Sequence, residues 1–428
     1  MREAAIRYSV VSAGVSVLLL AGCMTTSEIS IDRPSPASPD VPALAAGLND
    51  AGYDIFRAAA EPGENTAISP LSIGLAFGMI DAGASAPIDD TLTDLFRYPV
   101  SGEARLEAFN ALQQGVTLME EAGDQHDKAE DVWDEDTEPS VVTVANRLFT
   151  DTDFAAKDSY QENLGRWFGA GAQAIPMATK PDEAATTVNS WVEDATNGLI
   201  PKVIEPTTFS EASRLMLVNT LYFKAPWADQ FDDDNTEDTE FTLADGSAIE
   251  VPTMGRWLNG ERTTIAEDYS AVTIGYANPR LEMVLIVPSE GEFGGVQSRL
   301  SEGFMDDLDG NAVEGTADVT LPRFDATTDI DLREVLESRM GITGLFGVEG
   351  LDGIGPNLVI DSAVHATKVV VDEEGTEAAA ATAIGADTTS MPLQPDLVVH
   401  ADRPFLYVVR DTDTGAALFV GRVMDPRA

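Results

Sequence analysis

The chain has 428 residues, 44% of them hydrophobic, and 26 basic against 73 acidic side chains give a formal net charge of −47. That length and apolar content can bury a large core, as one big domain or two ordinary ones. The charge argues against nucleic acid, heparin or an anionic membrane surface as a partner, since each would be repelled, and it suits a heavily solvated surface in a saline environment.

Arg2 and Arg7 precede an apolar run over 10–20, which is short for a membrane span. Leu20-Ala21-Gly22-Cys23 follows, and Cys23 is the sole cysteine, so no intrachain disulfide can form. Small residues before a cysteine resemble a bacterial lipoprotein signal, in which that cysteine is lipidated and becomes the new N-terminus. An ordinary secretory signal with an incidental cysteine is the alternative. Met24, not Asp, comes next and gives no signal for inner-membrane retention. The expectation is a signal peptide over 1–22, a lipid on Cys23, and anchoring in the bacterial cell envelope, at the outer membrane. Residues 23–42 carry Pro34, Pro36, Pro39 and Pro42 among serines and read as a flexible tether.

From 43 to 428 the pattern is globular, with no internal repeat and no second linker, so one large domain is expected. An amphipathic helix is expected over 44–60 and an apolar one over 72–79, after Ser69-Pro70. Glu120, Glu121, Asp124, Asp127, Glu130, Asp131, Asp134, Glu135, Asp136 and Glu138 crowd one stretch. It reads as a disordered acidic insertion over 119–139. Its spacing matches no calcium loop, and no metal is expected. A helix over 186–196 ends towards Gly198, a C-cap signal. Strands are expected over 141–144, 215–223, 272–276, 283–287, 319–321, 364–371, 406–409 and 417–420. Helices dominate the first half and strands the second, which indicates an α+β fold and not a repeating βαβ order.

Signs of catalysis are few. The histidines are His126, His365 and His400, without zinc-ligand spacing or an HExxH pattern, and no Gly-x-Ser-x-Gly elbow or P-loop occurs. With Cys23 given to the lipid, no cysteine nucleophile is left. A Ser/His/Asp triad need not be local and stays open. The reading is a non-enzyme without cofactor. Residues 369–384, VVVDEEGTEAAAATAI, are the most unusual stretch. Alanine-rich sequence favours helix, yet this one directly follows a β-branched strand signature. It reads either as a surface helix or as a segment exposed in one state and buried in another.

Eight segments decide between these. They are NTAISPLSIGLAFGMI over 65–80, ANRLF over 145–149, VNSWVEDATNGLI over 188–200, LVNTLYFKAPW over 217–227, LPRF over 321–324, EEGTEAAAAT over 373–382, DRPF over 402–405 and LFVGRV over 418–423. In this order, they resemble the serpin family of protease inhibitors across 43–426. ASAPIDD over 84–90 departs from the family's Gly-x-Thr pattern, which bears on local packing.

The resemblance implies three β-sheets, about nine helices and an exposed reactive-centre loop over 373–393. It implies a suicide substrate. A protease attacks the loop and forms an acyl-enzyme, and the loop then inserts as a new strand into the central sheet. Roughly ten new backbone hydrogen bonds at about 1 kcal/mol each would favour insertion, so the native form is held kinetically. The hinge maps onto Glu373, Glu374, Gly375, Thr376, Glu377, Ala378, Ala379, Ala380, Ala381 and Thr382. Small side chains slide into a packed sheet, and Glu377 is tolerable where alternation turns it to solvent. Sheet opening maps onto Ser69, Ser72, Asn219, Trp227, His365 and Arg323, with Arg323 and Glu373 as a hinge–sheet ion pair. Taken alone, His365 is equally a satisfied core histidine and Trp227 ordinary core packing. The family's count from Glu373 puts the cleaved bond at Thr389-Ser390, within a window of 384–391. No Arg or Lys lies in 383–393, which points to an elastase- or subtilisin-like serine protease; a cysteine protease stays open. The expected partner is that protease, held covalently by a monomer. The alternative is a non-inhibitory envelope binding protein.

Overall fold

Ser69 and Pro70 start a helix for plain reasons. Pro70 sits in the first turn, where a missing N–H costs nothing, and the Ser69 hydroxyl accepts from the Ser72 N–H at 3.1 Å. The helix runs Pro70–Asp81 and every residue from Pro70 to Ile80 is buried. A helix apolar on all sides needs partners on all sides. Helix Val41–Ala59 packs on it, as do strands Leu215–Pro226 and Ala417–Val423. The structure is a computed structural model that describes residues 33–129, 140–347, 349–376 and 395–428, with side chains described to 116 in the first stretch.

Six strands form the central sheet, in the order Phe324–Asp331, Ile360–Val371, Gly375–Thr376, Leu215–Pro226, Val141–Asp151 and Ala172–Ile175. It is mixed, because Ile360–Val371 runs parallel to Leu215–Pro226 while its other neighbours are antiparallel. Both faces are covered. Helix Pro181–Ala195 sets Val188 and Val192 over Phe149, Met216, Val218, Val364 and Ala366. The main core fills the other side. That double burial explains why LMLVNTLYFKAP is apolar almost without alternation.

The second sheet has nine strands. Its order is Thr66–Ile68, Ala417–Val423, Phe405–Asp411, Leu281–Pro288, Tyr269–Gly275, Ala248–Ile265, Val313–Pro322 and Leu397–His400, with Glu237–Thr242 also paired to Ala248–Ile265. This corrects the expected count of three sheets to two hydrogen-bonded ones. Strand Ala248–Ile265 is 18 residues long, and its pairing shifts between Asn259 and Glu261, where Gly260 takes a φ of +80°. One end therefore pairs Glu237–Thr242 and the other Tyr269–Gly275, so two small sheets share a strand. Nine helices occur among the described residues, the last a three-residue turn at Leu332–Glu334. The α+β class stands.

Two boundaries differ from expectation. Helix Glu103–Ala129 runs eleven residues into the stretch read as a disordered insertion. Glu, Ala, Gln and Lys are good helix formers, and a surface helix needs packing on one side only. Residues 130–139 lie outside the described ones. The tether also ends sooner. The compact unit begins at Arg33, whose guanidinium donates to the Asn110 side chain at 3.1 Å and the Trp167 carbonyl at 3.1 Å. Residues 1–32 lie outside the described ones.

Candidate functional site

Strands Ile360–Val371 and Leu215–Pro226 pair directly from Ile360/Leu215 to Thr367/Leu221. Beyond that point Gly375–Thr376 lies between them, with Thr376 opposite Val371 on one side and Ala225 on the other. Gly375 and Thr376 thus form a two-residue strand, with Thr376 paired antiparallel to Val371 and both residues paired antiparallel to strand Leu215–Pro226. Gly375 is required there by close approach, since a Cβ would stand 2.2 Å from the Ala225 carbonyl oxygen. Thr376 is 1% exposed, and its hydroxyl bonds the Tyr276 hydroxyl at 2.8 Å.

The turn at Asp372 to Glu374 is held by several bonds. The Trp227 indole N–H donates to the Asp372 carbonyl at 3.0 Å, and the backbone N–H groups of Trp227 and Phe231 donate to the Glu374 and Glu373 carbonyls at 2.9 Å each. Trp227 is buried and stacks on Tyr276, centroids 4.6 Å apart and planes 13° apart. An aromatic pair of this geometry adds about 1 kcal/mol beyond burial. Glu373 is 3% exposed. Its carboxylate accepts from the Arg323 guanidinium at 2.7 Å and from the Thr236 hydroxyl. Burial opposes the charge, yet Arg323 and Thr236 together hold the carboxyl below its usual range. Bonding to Glu373 raises Arg323 in turn.

Lower in the same seam lies a polar row. Asn146 is opposite Asn219, and Asn219 is opposite His365, so three neighbouring strands place these side chains on one face. The start of helix Pro70–Asp81 sits against that row. The Ser69 N–H donates to His365 Nε2 at 3.0 Å. That leaves Nδ1 to carry the imidazole proton and to donate to the Asn219 side-chain oxygen. Asn219 Nδ2 donates to the Val364 carbonyl at 3.1 Å, and the Ser72 hydroxyl to the Thr220 carbonyl at 3.2 Å. His365 is fully buried, and burial lowers its pKa to about 3. Among the described residues Asn146 Nδ2 is buried without a partner. Side chains thus add bonds between strands that backbone pairing already joins.

Of the residues singled out in the sequence, Ser69, Ser72, Asn219 and His365 meet in one cluster. Trp227, Arg323, Glu373, Glu374, Gly375 and Thr376 meet in the other. Cys23, Glu377, Ala378, Ala379, Ala380, Ala381, Thr382, Thr389 and Ser390 lie outside the described residues. Sequence reading passed over Tyr276, Phe231, Thr236 and Asn146. Asn146 stood in the ANRLF segment and could have been found there. The other three lie in strands or loops whose pattern says nothing of what they face. Among the described residues no cluster of His, Cys, Asp and Glu could hold a metal ion.

The family model described as Serpin (serine protease inhibitor) matches residues 46–426. The chain belongs to the serpin family. This serpin is 31% identical over 385 residues to an uncharacterised serpin-like protein of Thermococcus kodakarensis, covering 89% of this chain and 85% of that one. It is 32% identical over 397 residues to a serine protease inhibitor of Cyanea capillata, covering 90% and 99%. The native state of the thermophilic serpin tengpin aligns with a TM-score of 0.79 at 23% identity, covering 93% of this chain and 97% of that one, which speaks for the fold. Serpins are in the main protease inhibitors and not enzymes.

Proposed function

We propose that this serpin is a suicide inhibitor of an elastase- or subtilisin-like serine protease, cleaved at Thr389-Ser390 and anchored through Cys23 at the bacterial outer membrane. The observation that carries the mechanism is the placement of Gly375 and Thr376 between two parallel strands, paired with both. A strand begun at one end extends downward by separating the pairs from Thr367/Leu221 onward. The segment that follows, Glu377 and then Ala378 to Ala381, adds little bulk. The net charge of −47 favours a cationic protease and disfavours heparin and nucleic acid.

The test uses the full chain carrying Cys23→Ser, mixed with pancreatic elastase and with subtilisin and resolved on denaturing gels. A complex that survives denaturation, with a released peptide beginning at Ser390, is expected. Clean cleavage without complex counts against inhibition of those proteases. A thermal melt of the cleaved chain then separates two cases: a large rise means the loop still inserts, and no rise favours the non-inhibitory binding protein. Lipid attachment is tested by mass spectrometry of the N-terminal peptide from bacterial membranes. An unmodified Cys23 overturns the anchor.

A further inference from the structure

The chain contains two Asn-Gly pairs, Asn197-Gly198 and Asn259-Gly260. In such a pair the nitrogen that follows asparagine can attack the side-chain carbonyl, because glycine sets no side chain in the way and lets the peptide plane between them turn. By sequence the two pairs are alike. The fold separates them.

Asn197-Gly198 closes helix Pro181–Ala195. The two residues take φ of +51° and +86°, and the Gly198 N–H donates to the Glu193 carbonyl at 2.8 Å, a bond back into the last turn that ends many helices. The Leu199 N–H donates to the Thr196 carbonyl at 2.9 Å and fixes the far side of the pair. The attacking nitrogen is committed to a hydrogen bond, and its peptide plane is held from both ends.

Asn259-Gly260 lies where strand Ala248–Ile265 passes from one small sheet to the other. Asn259 is opposite Thr316 and Glu261 is opposite Gly315, so Gly260 bulges out with no opposite residue. Both members of the pair are exposed, and a Cβ at Gly260 would meet nothing within 4 Å. The Asn259 side chain makes no hydrogen bond among the described residues. Its carboxamide is free to swing onto the Gly260 nitrogen.

We propose that Asn259 is a site of spontaneous modification, converted with age to aspartate and isoaspartate. The Gly260 amide nitrogen attacks Asn259 Cγ. A bond from that nitrogen to Cγ forms, the bond from Cγ to Nδ2 breaks, and the amide proton leaves with the side-chain nitrogen as ammonia. A cyclic imide remains, and solvent water adds to one of its two carbonyls. Opening on one side gives aspartate in an unchanged main chain. Opening on the other gives isoaspartate, whose main chain runs through the side-chain methylene. The extra atom then falls between the pairs Asn259/Thr316 and Glu261/Gly315. Across the seam the Asp396 carboxylate accepts from the Thr316 N–H at 3.0 Å and the Thr316 hydroxyl at 2.8 Å. A carboxylate formed at 259 faces that pair. Among the described residues strand Leu397–His400 pairs with Val313–Pro322 alone, so the modification loosens the strand on which Leu397–His400 depends.

The experiment stores the full chain carrying Cys23→Ser in warm, mildly alkaline buffer, beside a mildly acidic sample and one unfolded in urea. Peptide mass spectrometry then follows the two Asn-Gly peptides separately. In the folded chain the Asn259 peptide is expected to take up the mass of an amide-to-acid conversion several-fold faster than the Asn197 peptide. It should convert faster in the alkaline sample, since the attacking nitrogen must lose its proton. In urea the two rates should converge, because the fold alone sets them apart. Equal rates in the folded chain, or an Asn259 that stays intact while Asn197 converts, overturn the proposal. Thermal unfolding reads the consequence. Stored wild type should melt a few degrees below fresh protein, and stored Asn259→Gln, which keeps the amide but cyclises poorly, should not. Freshly made Asn259→Asp carries the charge without the longer main chain, and its midpoint is expected between those of fresh and stored wild type. An equal fall in stored wild type and stored Asn259→Gln rejects the loosening of the seam.

Discussion

Glu373 shows how one residue couples the hinge to the body. Its carboxylate is buried and depends on Arg323 and Thr236 for compensation. Arg323→Ala leaves that charge under-compensated in a site closed to water. The expected loss is about 1–3 kcal/mol, seen as a lower urea midpoint with an unchanged m-value. A midpoint equal to wild type would mean the pair is only a surface contact, which Arg323, being half exposed, also permits. His365 gives a prediction in pH. With a native pKa near 3 against about 6.5 unfolded, the unfolded chain holds more protons between those values. Stability from this group is therefore complete above about pH 6.5 and falls by about 1.4 kcal/mol per unit as pH drops towards 3. Asp81, Glu261 and Glu302 act in the opposite sense. Burial pushes each up to about 7, so their stabilising share is present at low pH and lost as pH rises. The contribution of His365 is thus read in the difference between wild type and His365→Gln. That gap should shrink by about 2–3 kcal/mol between pH 6.5 and pH 4.5, and a gap independent of pH rejects the assignment.

At the scale of elements, the hinge is a strand two residues long inside a seam that is otherwise closed. Thr376→Arg would force a guanidinium into a position 1% exposed, against Tyr276. Burying that charge unpaired costs several kcal/mol. The expected outcome is cleavage of the loop without complex, measured as moles of serpin consumed per mole of protease inhibited. An unchanged ratio would mean that Thr376 does not lead insertion. Helix Pro181–Ala195 adds a second condition. Trp191 packs edge-on against Phe149 at 5.9 Å, and the Arg147 guanidinium lies over the same indole. Any strand added below Thr376 changes the surface on which that helix rests. The elements themselves were legible in part. LVNTLYFKAPW announced a buried strand, and Ser69-Pro70 announced a helix start, because each signal is local. Helix Glu103–Ala129 was not among the expected helices, and its acidic end reads in sequence as disorder although helix propensity tolerates those residues. The sharing of strand Ala248–Ile265 between two small sheets was not legible, since a bulge reads in sequence as one more glycine.

The whole molecule carries its charge as a burden and a tool. With 73 acids against 26 bases, repulsion acts across the surface at low ionic strength. Raising salt from about 0.1 to 1 M shortens the screening length from about 10 to 3 Å. The midpoint of thermal unfolding should rise by a few degrees over that range, and a flat or falling midpoint would show that surface repulsion does not limit stability. Much of this protein was set by sequence alone. Composition indicated a large acidic globule and the order of segments indicated the family, because both are properties of neighbours along the chain. What tertiary structure decided is who meets whom. Asn146, Asn219 and His365 stand in one row only because three strands from distant parts of the chain share a register. Tyr276 meets Thr376 across 100 residues of sequence. Trp257 and Val398 flank one aspartate only because parallel and antiparallel neighbours bring them to the same strand. Register is set by the packing of both faces at once, and no local pattern carries it.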